Sequence, residues 1–371
     1  MGGNLKFEIP SEIQTIINSN LDNFVASVYI EEKKIDIEEY FKDTLERNFP
    51  YFSFDFKVKK IIRTKEIILF KFDVEKFTHQ NSKVVKGSFF LIHNLNAKII
   101  FIISPETKHF MDRVIHPFMQ SYLYDKISRI YVTSKEIFKI LELLEGYLKN
   151  PLLSKLCTGT RPFGDHPDKI LKWGDKLIPF RECFNLAREE ALSINWIRVE
   201  AYNHDKKRVL KMDISRGSNI SSNLNCINEV YSVLNIIIKK GENDLKILSN
   251  KEIKKDKPAT PIVIQYDRNI LENLETKKKL LETIEKYKEC NFSVVHGGNP
   301  HIYMYLRDSI DSSSFSLRSV GSDKILLIPQ LKATYSSLTR FIHFLTENFI
   351  EYEDILEIKD TNNTTNNEIH N

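Results

Sequence analysis

The spacing of hydrophobic and polar residues along this chain changes between two periods, which predict helices and strands. Near the start, "SEIQTIINSNL" at 11–21 and "IDIEEYFKDTLERNF" at 35–49 carry apolar residues at helical spacing. From residue 52 the period shortens to two in "FSFDFKVKKII" and "IILFKFDVEKF", and a second hairpin follows over 83–104. Alternation with period two is typical of strands, so we expect an antiparallel meander of about four strands here.

The residues after this meander favour helices. The stretch 106–126 predicts a helix that is bent or broken near Pro117, because proline has no backbone N–H to donate. A second, amphipathic helix is predicted over 134–148, with Ser134 at its start. Glycine, proline and turn residues then concentrate at 150–176, where we place a domain boundary.

The second half of the chain follows a similar plan. We predict a helix over 178–193, a hairpin over 195–215, a helix near 226–239, a strand at 261–267 and a charged helix over 269–290. A second meander starts at 293, and a helix with an apolar stripe from Leu338 to Phe349 closes the fold.

These elements together predict an α+β fold of two domains, each an antiparallel β-meander covered by amphipathic helices. The N-terminal domain would occupy residues 1–150, with acidic helices and basic hairpins, and the C-terminal domain residues 151–358. Residues 359–371 are almost entirely polar, and we expect them to be disordered.

Composition narrows the functional classes. The four cysteines Cys157, Cys183, Cys226 and Cys290 form no CxxC pair, which argues against a structural zinc site and a disulfide scaffold and for a reducing location inside the cell. We expect a cytoplasmic protein with no metal ion and no cofactor. No apolar run is long enough to cross a bilayer, so we expect no membrane association. Phosphate-loop, nucleophile-elbow, zincin and dinucleotide-binding motifs are missing, which excludes the commonest enzyme classes.

Charge is distributed unevenly although its sum is only +4. Residues 1–56 carry eleven acidic and five basic side chains, whereas residues 57–90 carry nine basic and three acidic ones. In the first predicted hairpin, basic residues alternate with the apolar residues Phe56, Val58 and Ile61. The basic residues are Lys57, Lys59, Arg63 and Lys65. Such residues either protect a sheet edge from aggregation or contact phosphates, and both interpretations stay open.

The strand predicted after Pro300 has one apolar and one polar aromatic face. The alternation predicts that Ile302, Met304 and Leu306 point to the core. The side chains that point outward are His301, Tyr303, Tyr305 and Arg307. If the following turn pairs residue 307 with 314, Arg318 lies across from Tyr303. Two tyrosines and two arginines can stack bases and hold phosphates, as single-strand binders do.

Two other segments carry ligand-type residues. His109, Asp112 and His116 follow one helical face, but residues seven apart are separated by about 10 Å of helical rise, too far to share one ion. Asp165 and His166 lie in a loop shaped by glycine and proline, where functional residues are common. A structural role is the simpler interpretation of both segments.

Three functional hypotheses follow. The first is a non-enzymatic binding protein whose partner is DNA, RNA or another subunit of a complex. The second is an enzyme without a standard motif, a metal-dependent phosphodiesterase or nuclease that would draw on Asp165, His166, His296, Asp308 and Asp311. The third is a purely structural protein-interaction subunit.

Overall fold

The fold of this protein is mixed α+β, as predicted. A computed structural model describes residues 15, 23–46, 54–77, 84–96, 98–123, 126–160, 169–172, 176–223, 227–249, 251–252, 260–298, 301–330 and 332–357. Within these residues, seven helices accompany two antiparallel sheets of 12 and 6 strands and one short two-stranded pair.

The larger sheet runs from residue 23 to residue 223. Its strands are β1 (Asn23–Glu31), β2 (Phe54–Arg63), β3 (Ile67–Phe77), β4 (Val84–Asn94), β5 (Ile99–Ser104), β6 (Ile127–Arg129), β7 (Leu153–Thr160), β8 (Lys169–Lys172), β9 (Ile178–Pro179), β10 (Ser193–Tyr202), β11 (Arg208–Ser215) and β12 (Ile220–Asn223). Their spatial order is β2-β3-β4-β5-β1-β12-β11-β10-β7-β8, with β6 paired to β1 and β9 paired to β7. The predicted four-strand meander is therefore confirmed as β2–β5.

Five helices belong to the same part of the chain: α1 (Ile37–Glu46), α2 (His116–Leu123), α3 (Ser134–Leu148), α4 (Phe180–Glu189) and α5 (Ile227–Leu248). An aromatic cluster fills the space between α1, α2 and the β2–β4 strands. Phe118 of α2 stacks on Phe41 of α1, and Phe72 stacks on Phe89 with ring centroids 4.8 Å apart. Burial of these large apolar side chains supplies the main driving force for folding here.

The predicted break near Pro117 takes the form of a π-helical turn. One α-helical turn (Lys108–Phe110) leads into the π turn (Met111–Ile115), and α2 follows. Pro117 has no N–H to donate to the carbonyl of Arg113, and that carbonyl instead accepts a hydrogen bond of 2.6 Å from Lys76 Nζ. The irregular turn therefore lies where the helical ladder lacks a donor.

The smaller sheet lies in the C-terminal part of the chain. Its strands are β14 (Ile262–Gln265), β15 (Cys290–Gly297), β16 (Ile302–Asp308), β17 (Ser314–Val320), β18 (Lys324–Pro329) and β20 (Asp354–Glu357), and the short pair is β13 (Lys251–Glu252) with β19 (Lys332–Ala333). The spatial order of the six is β15-β16-β17-β18-β14-β20. The helices in this region are α6 (Leu274–Glu285) and α7 (Tyr335–Asn348).

One face of the smaller sheet is covered by α7. The predicted stripe from Leu338 to Phe349 is buried along its whole length, and Phe341 contacts Phe315 of β17 at a centroid distance of 5.3 Å. Tyr287 joins this cluster by stacking on Phe344. Because one face is packed, the alternation of β16 and β17 decides which side chains reach the open face.

The chain divides into two compact units. The first comprises residues 1–161 and 166–242, and the second comprises residues 162–165 and 243–371. This division differs from the predicted boundary near residue 150, because β7–β12 hydrogen-bond into the same sheet as β1–β5. None of the described helices has the length and apolar character that crossing a membrane requires.

A central strand of the larger sheet was not predicted, and three predicted segments lie outside the described residues in whole or in large part. Strand β1 was missing from the predicted elements, although it lies in the middle of the larger sheet and is buried on both faces. A strand buried on both faces lacks period-two alternation, which explains why the pattern did not reveal it. The predicted tail 359–371, most of the helix predicted at 11–21, and the loop 161–168 lie outside the described residues.

Candidate nucleic-acid interface

The predicted register of β16 and β17 is confirmed. Tyr303 pairs with Arg318, Tyr305 with Ser316 and Arg307 with Ser314. Ile302, Met304 and Leu306 are buried, whereas His301, Tyr305 and Arg307 are exposed and Tyr303 is half-buried. We call the outward residues His301, Tyr303, Tyr305, Arg307 and Arg318 the Tyr/Arg face.

The Tyr/Arg face is open beside β15 and partly covered beside β17. Tyr305 has Ser293 of β15 on one side and Ser316 of β17 on the other, so both of its cross-strand neighbours are small. The ring of Tyr305 is 43% exposed. Ser293 is exposed, whereas Ser316 is buried and accepts a hydrogen bond of 2.9 Å from Gln330 Nε2. A base can stack on the exposed part of the Tyr305 ring.

The two tyrosines of this face hold each other in place. The hydroxyl of Tyr303 donates to the hydroxyl of Tyr305 at 2.6 Å, and the ring centroids lie 5.3 Å apart with a tilt of 60°. This hydrogen bond raises the pKa of Tyr303 above its ordinary value, and the nearby charge of Arg318 acts in the opposite direction. Tyr303 therefore presents an uncharged ring at pH 7.

The arginines of this face have no acidic partner within the described residues. Arg307 and Arg318 are exposed; Arg307 lies between Asn291 and Ser314, and Arg318 lies between Tyr303 and Leu326. Their guanidinium groups thus keep their donors available for a ligand. Guanidinium binds phosphate oxygens through two parallel hydrogen bonds, which suits these residues to a nucleic-acid backbone.

The basic hairpin differs, because carboxylates lie beside several of its basic residues. Lys57 and Lys59 are exposed on β2, but the cross-strand neighbour of Lys57 is Asp73. Asp73 also approaches Lys71 at 3.8 Å. Lys65 is exposed in the turn that follows β2. Lys59, by contrast, faces Lys71 across the hairpin, so acidic neighbours accompany only part of this basic set.

Arg63 does not share a face with Lys57 and Lys59, contrary to the alternation expected from the sequence. A β-bulge between Lys60 and Ile62 shifts the register by one residue. An extra residue reverses the direction in which the following side chains point. Arg63 therefore lies on the side of α1, where Glu38 accepts from Arg63 at 3.5 Å and from Lys60 at 2.6 Å.

A groove of about 410 Å³ opens beside this hairpin. Its charged lining contains four carboxylates and two lysines: Asp55, Asp73, Glu75, Glu106, Lys57 and Lys86. Lys86 is itself bound to Glu75 at 2.6 Å. The excess of carboxylates in the groove disfavours a polyanion at this place.

Asp308 and Asp311 serve the structure of the turn between β16 and β17. Arg340 of α7 donates to Asp308 at 2.8 Å and lies 3.6 Å from Asp311. Asp308, only 2% exposed, also accepts from the backbone N–H groups of residues 310 and 311. Burial acts to raise the pKa of Asp311, but hydrogen bonds from Thr334 and Ser313 and the charge of Arg340 hold it below its usual value. Both carboxylates are thus occupied by internal partners.

The five residues of the phosphodiesterase hypothesis do not converge among those described. His296 pairs with Tyr303 and Cys290 pairs with Asp308, so His296 and Asp308 lie about 20 Å apart along the ladder, from six residues at strand rise. Within the described part of the chain, no three metal-ligating side chains come together. Asp165 and His166 lie outside the described residues.

The helix that carries His109, Asp112 and His116 contains a buried hydrogen-bond chain that sequence reasoning missed. His116, 4% exposed, contacts the Tyr29 hydroxyl through Nδ1 and Oδ1 of Asn219 through Nε2 at 3.0 Å. Asn219 in turn donates to Asp112 at 3.1 Å. His109 is exposed and takes no part in this chain. No sequence signal links residues 29, 116 and 219, because they meet only in the tertiary structure.

The histidine in this buried hydrogen-bond network, His116, is a neutral imidazole. Burial and the positive charge of Arg129 hold the pKa of His116 well below 6.5, although the hydrogen bond to Asn219 opposes them. His116 is therefore uncharged at pH 7, and its 3.7 Å approach to Asp112 is not an ion pair. These hydrogen bonds connect the helix to β1 and to the turn before β12, so their role is structural.

Comparison with known proteins adds no family to these observations. No protein-family model matches the chain, and none of the curated proteins matches its sequence.

Proposed function

We propose that this chain is a non-enzymatic binding protein that contacts single-stranded nucleic acid through the Tyr/Arg face. One observation carries the proposal. Two hydrogen-bonded tyrosine rings stand between two exposed arginines, Arg307 and Arg318, that have no acidic partner among the described residues. Stacking on the rings would hold bases, and the guanidinium groups would hold the phosphates between them.

The choice of single strands follows from the geometry of the face. A stacked base must be free of its duplex neighbour, and Tyr305 is accessible at the surface of the sheet rather than on a protruding helix or loop that could enter a groove. The serines beside Tyr305 offer little sequence-specific recognition. We therefore expect binding that tolerates many sequences and discriminates against duplexes.

Fluorescence anisotropy tests this proposal directly. Labelled single-stranded RNA and DNA and the matching duplexes would be titrated with the full chain at several salt concentrations. We expect single strands to bind more tightly than duplexes, with an affinity that falls as salt rises. Undetectable binding, or binding that ignores salt, would contradict the proposal.

A matched pair of variants identifies the surface responsible. Arg318→Glu changes the charge of the Tyr/Arg face by two, and Lys59→Glu makes the same change on the basic hairpin. We expect Arg318→Glu to weaken binding by about tenfold or more and Lys59→Glu to change it by less than about threefold. Equal losses in both variants would indicate a non-specific response to net charge.

We further propose that the protein has two domains and resides in the cytoplasm. We take the two compact units as two domains, each with its own antiparallel sheet and amphipathic helices. The buried free thiols of Cys157, Cys183 and Cys290 fit a reducing compartment such as the cytoplasm. Limited proteolysis between the units, followed by mass spectrometry, tests whether each domain folds by itself.

A further inference from the structure

The edge strand β15 carries a β-bulge between Val294 and His296, but it has none of the charged residues found on the other edges of the two larger sheets. The two larger sheets end at β2, β8, β15 and β20. Strand β2 carries four basic residues and a bulge, β8 has a lysine at each end, and β20 has an acidic residue at each end. Strand β15, "CNFSVVHG", contains no charged Lys, Arg, Asp or Glu and no proline over eight residues.

Strand β15 is also exposed on both faces. Residues 291–297 are all exposed, including Phe292 at 37%, Val294 at 43% and Val295 at 47%. Of the described residues, only β16 pairs with β15. Natural proteins protect long apolar edges with charges or by covering them, because unpaired backbone groups recruit another strand. An edge that no described strand covers, beside three others that carry charges, is adapted to pairing.

We infer that β15 pairs with β15 of a second copy of this chain in an antiparallel arrangement. The absence of charge on the strand favours this occupant, since self-pairing places like residues near one another and any charge would repel itself. A register centred on Ser293 sets Phe292 of each copy opposite Val294 of the other. Aromatic and β-branched residues form favourable cross-strand pairs, and the twofold symmetry makes this pair twice.

The geometry of such a pair has a consequence for the open face. Two identical antiparallel edges are related by a twofold axis perpendicular to the sheet, so the same face of both copies points to one side. The two six-stranded sheets would become one sheet of twelve strands. The Tyr/Arg faces of both copies would then lie on a single continuous surface, although the pairing itself does not depend on what binds there.

Sedimentation equilibrium over a concentration series tests the pairing. We expect the full chain to approach about 87 kDa, twice its 43.5 kDa, at high concentration. Val294→Lys should raise the dimer dissociation constant by about tenfold or more, because two cross-strand pairs are lost and two lysines are added. The matched control is Leu356→Lys on β20, an equally exposed aliphatic residue at the opposite edge, which should leave the constant unchanged.

Hydrogen exchange supplies a second readout that does not depend on mass. Backbone amides of 291–297 should exchange more slowly as the concentration of the unmodified chain rises, and Val294→Lys should abolish that dependence. A chain that stays monomeric at every concentration would overturn the inference. So would a dimer that Val294→Lys leaves intact, or one that Leu356→Lys disrupts equally. Arg318→Glu should not alter dimerisation, so failure of nucleic-acid binding and failure of pairing are separable.

Discussion

Two surfaces of this molecule are rich in basic residues, yet their surroundings give them opposite character. On the hairpin β2–β3, Lys60 and Arg63 are bound to Glu38, and Lys57 faces Asp73. On the Tyr/Arg face, Arg307 and Arg318 have tyrosine, serine, asparagine and leucine as strand neighbours. A count of basic residues favours the hairpin, whereas the distribution of their partners favours the Tyr/Arg face. Ligand binding depends on the charge that remains after internal pairing.

The largest expected effect is on stability, and it distinguishes an arginine in an internal ion pair from an exposed arginine without an acidic partner among the described residues. Arg340→Met would leave the buried carboxylate of Asp308 without its counter-ion and should lower the free energy of unfolding by about 3 kcal/mol. Arg318→Met, on the open face, should change it by less than about 0.5 kcal/mol. Urea denaturation of both variants measures the difference. Equal stability of the two would show that the internal ion pair contributes little.

The next effect compares the two basic surfaces at equal charge. Arg307→Glu with Arg318→Glu should weaken single-strand binding by about 100-fold, since two phosphate contacts become repulsive. The slope of the logarithm of affinity against that of salt should fall by about 1.4 for two lost contacts. Lys57→Glu with Lys59→Glu makes the same change in net charge and should have little effect. Anisotropy titrations of both double variants decide between the surfaces, and a greater loss in the lysine variant would reverse our assignment.

A smaller effect isolates stacking from charge. Tyr305→Ala removes the exposed ring and should weaken binding by about tenfold, the range of one base stacked on one aromatic ring. Its salt dependence should match that of the unmodified chain, because no charge is lost. Tyr305→Phe keeps the ring, loses only the hydroxyl bonded to Tyr303, and should bind almost normally. Equal losses in both Tyr305 variants would assign the contribution to the hydroxyl instead.

The smallest effect concerns the buried histidine. Because the pKa of His116 is held well below 6.5, the unfolded chain binds more protons than the folded one as the pH falls through 6.5. Stability should therefore fall by about 0.7 kcal/mol between pH 7 and pH 6 on account of this residue. Denaturation of the unmodified chain and of His116→Gln over this range measures the effect. An identical pH dependence in both proteins would remove His116 as its source.

Local patterns predicted the elements that have one packed face. The alternation in 302–318 was sufficient to predict the buried side, the turn and the pairing of Tyr303 with Arg318, because a hairpin register depends only on nearby residues. The stripe of α7 and the β2–β5 meander were predictable for the same reason. Strand β1 was not predictable in this way, since burial on both faces removes the alternation.

The chain by itself therefore determined which residues reach the open face of β16 and β17, because side-chain direction follows from strand period. Only the tertiary structure decided which charges are left without internal partners. The bulge that turns Arg63 towards Glu38, the position of Arg340 beside Asp308, and the meeting of His116 with Tyr29 and Asn219 all join residues distant in sequence. Such contacts depend on how helices pack against sheets, and local periodicity contains no information about that packing.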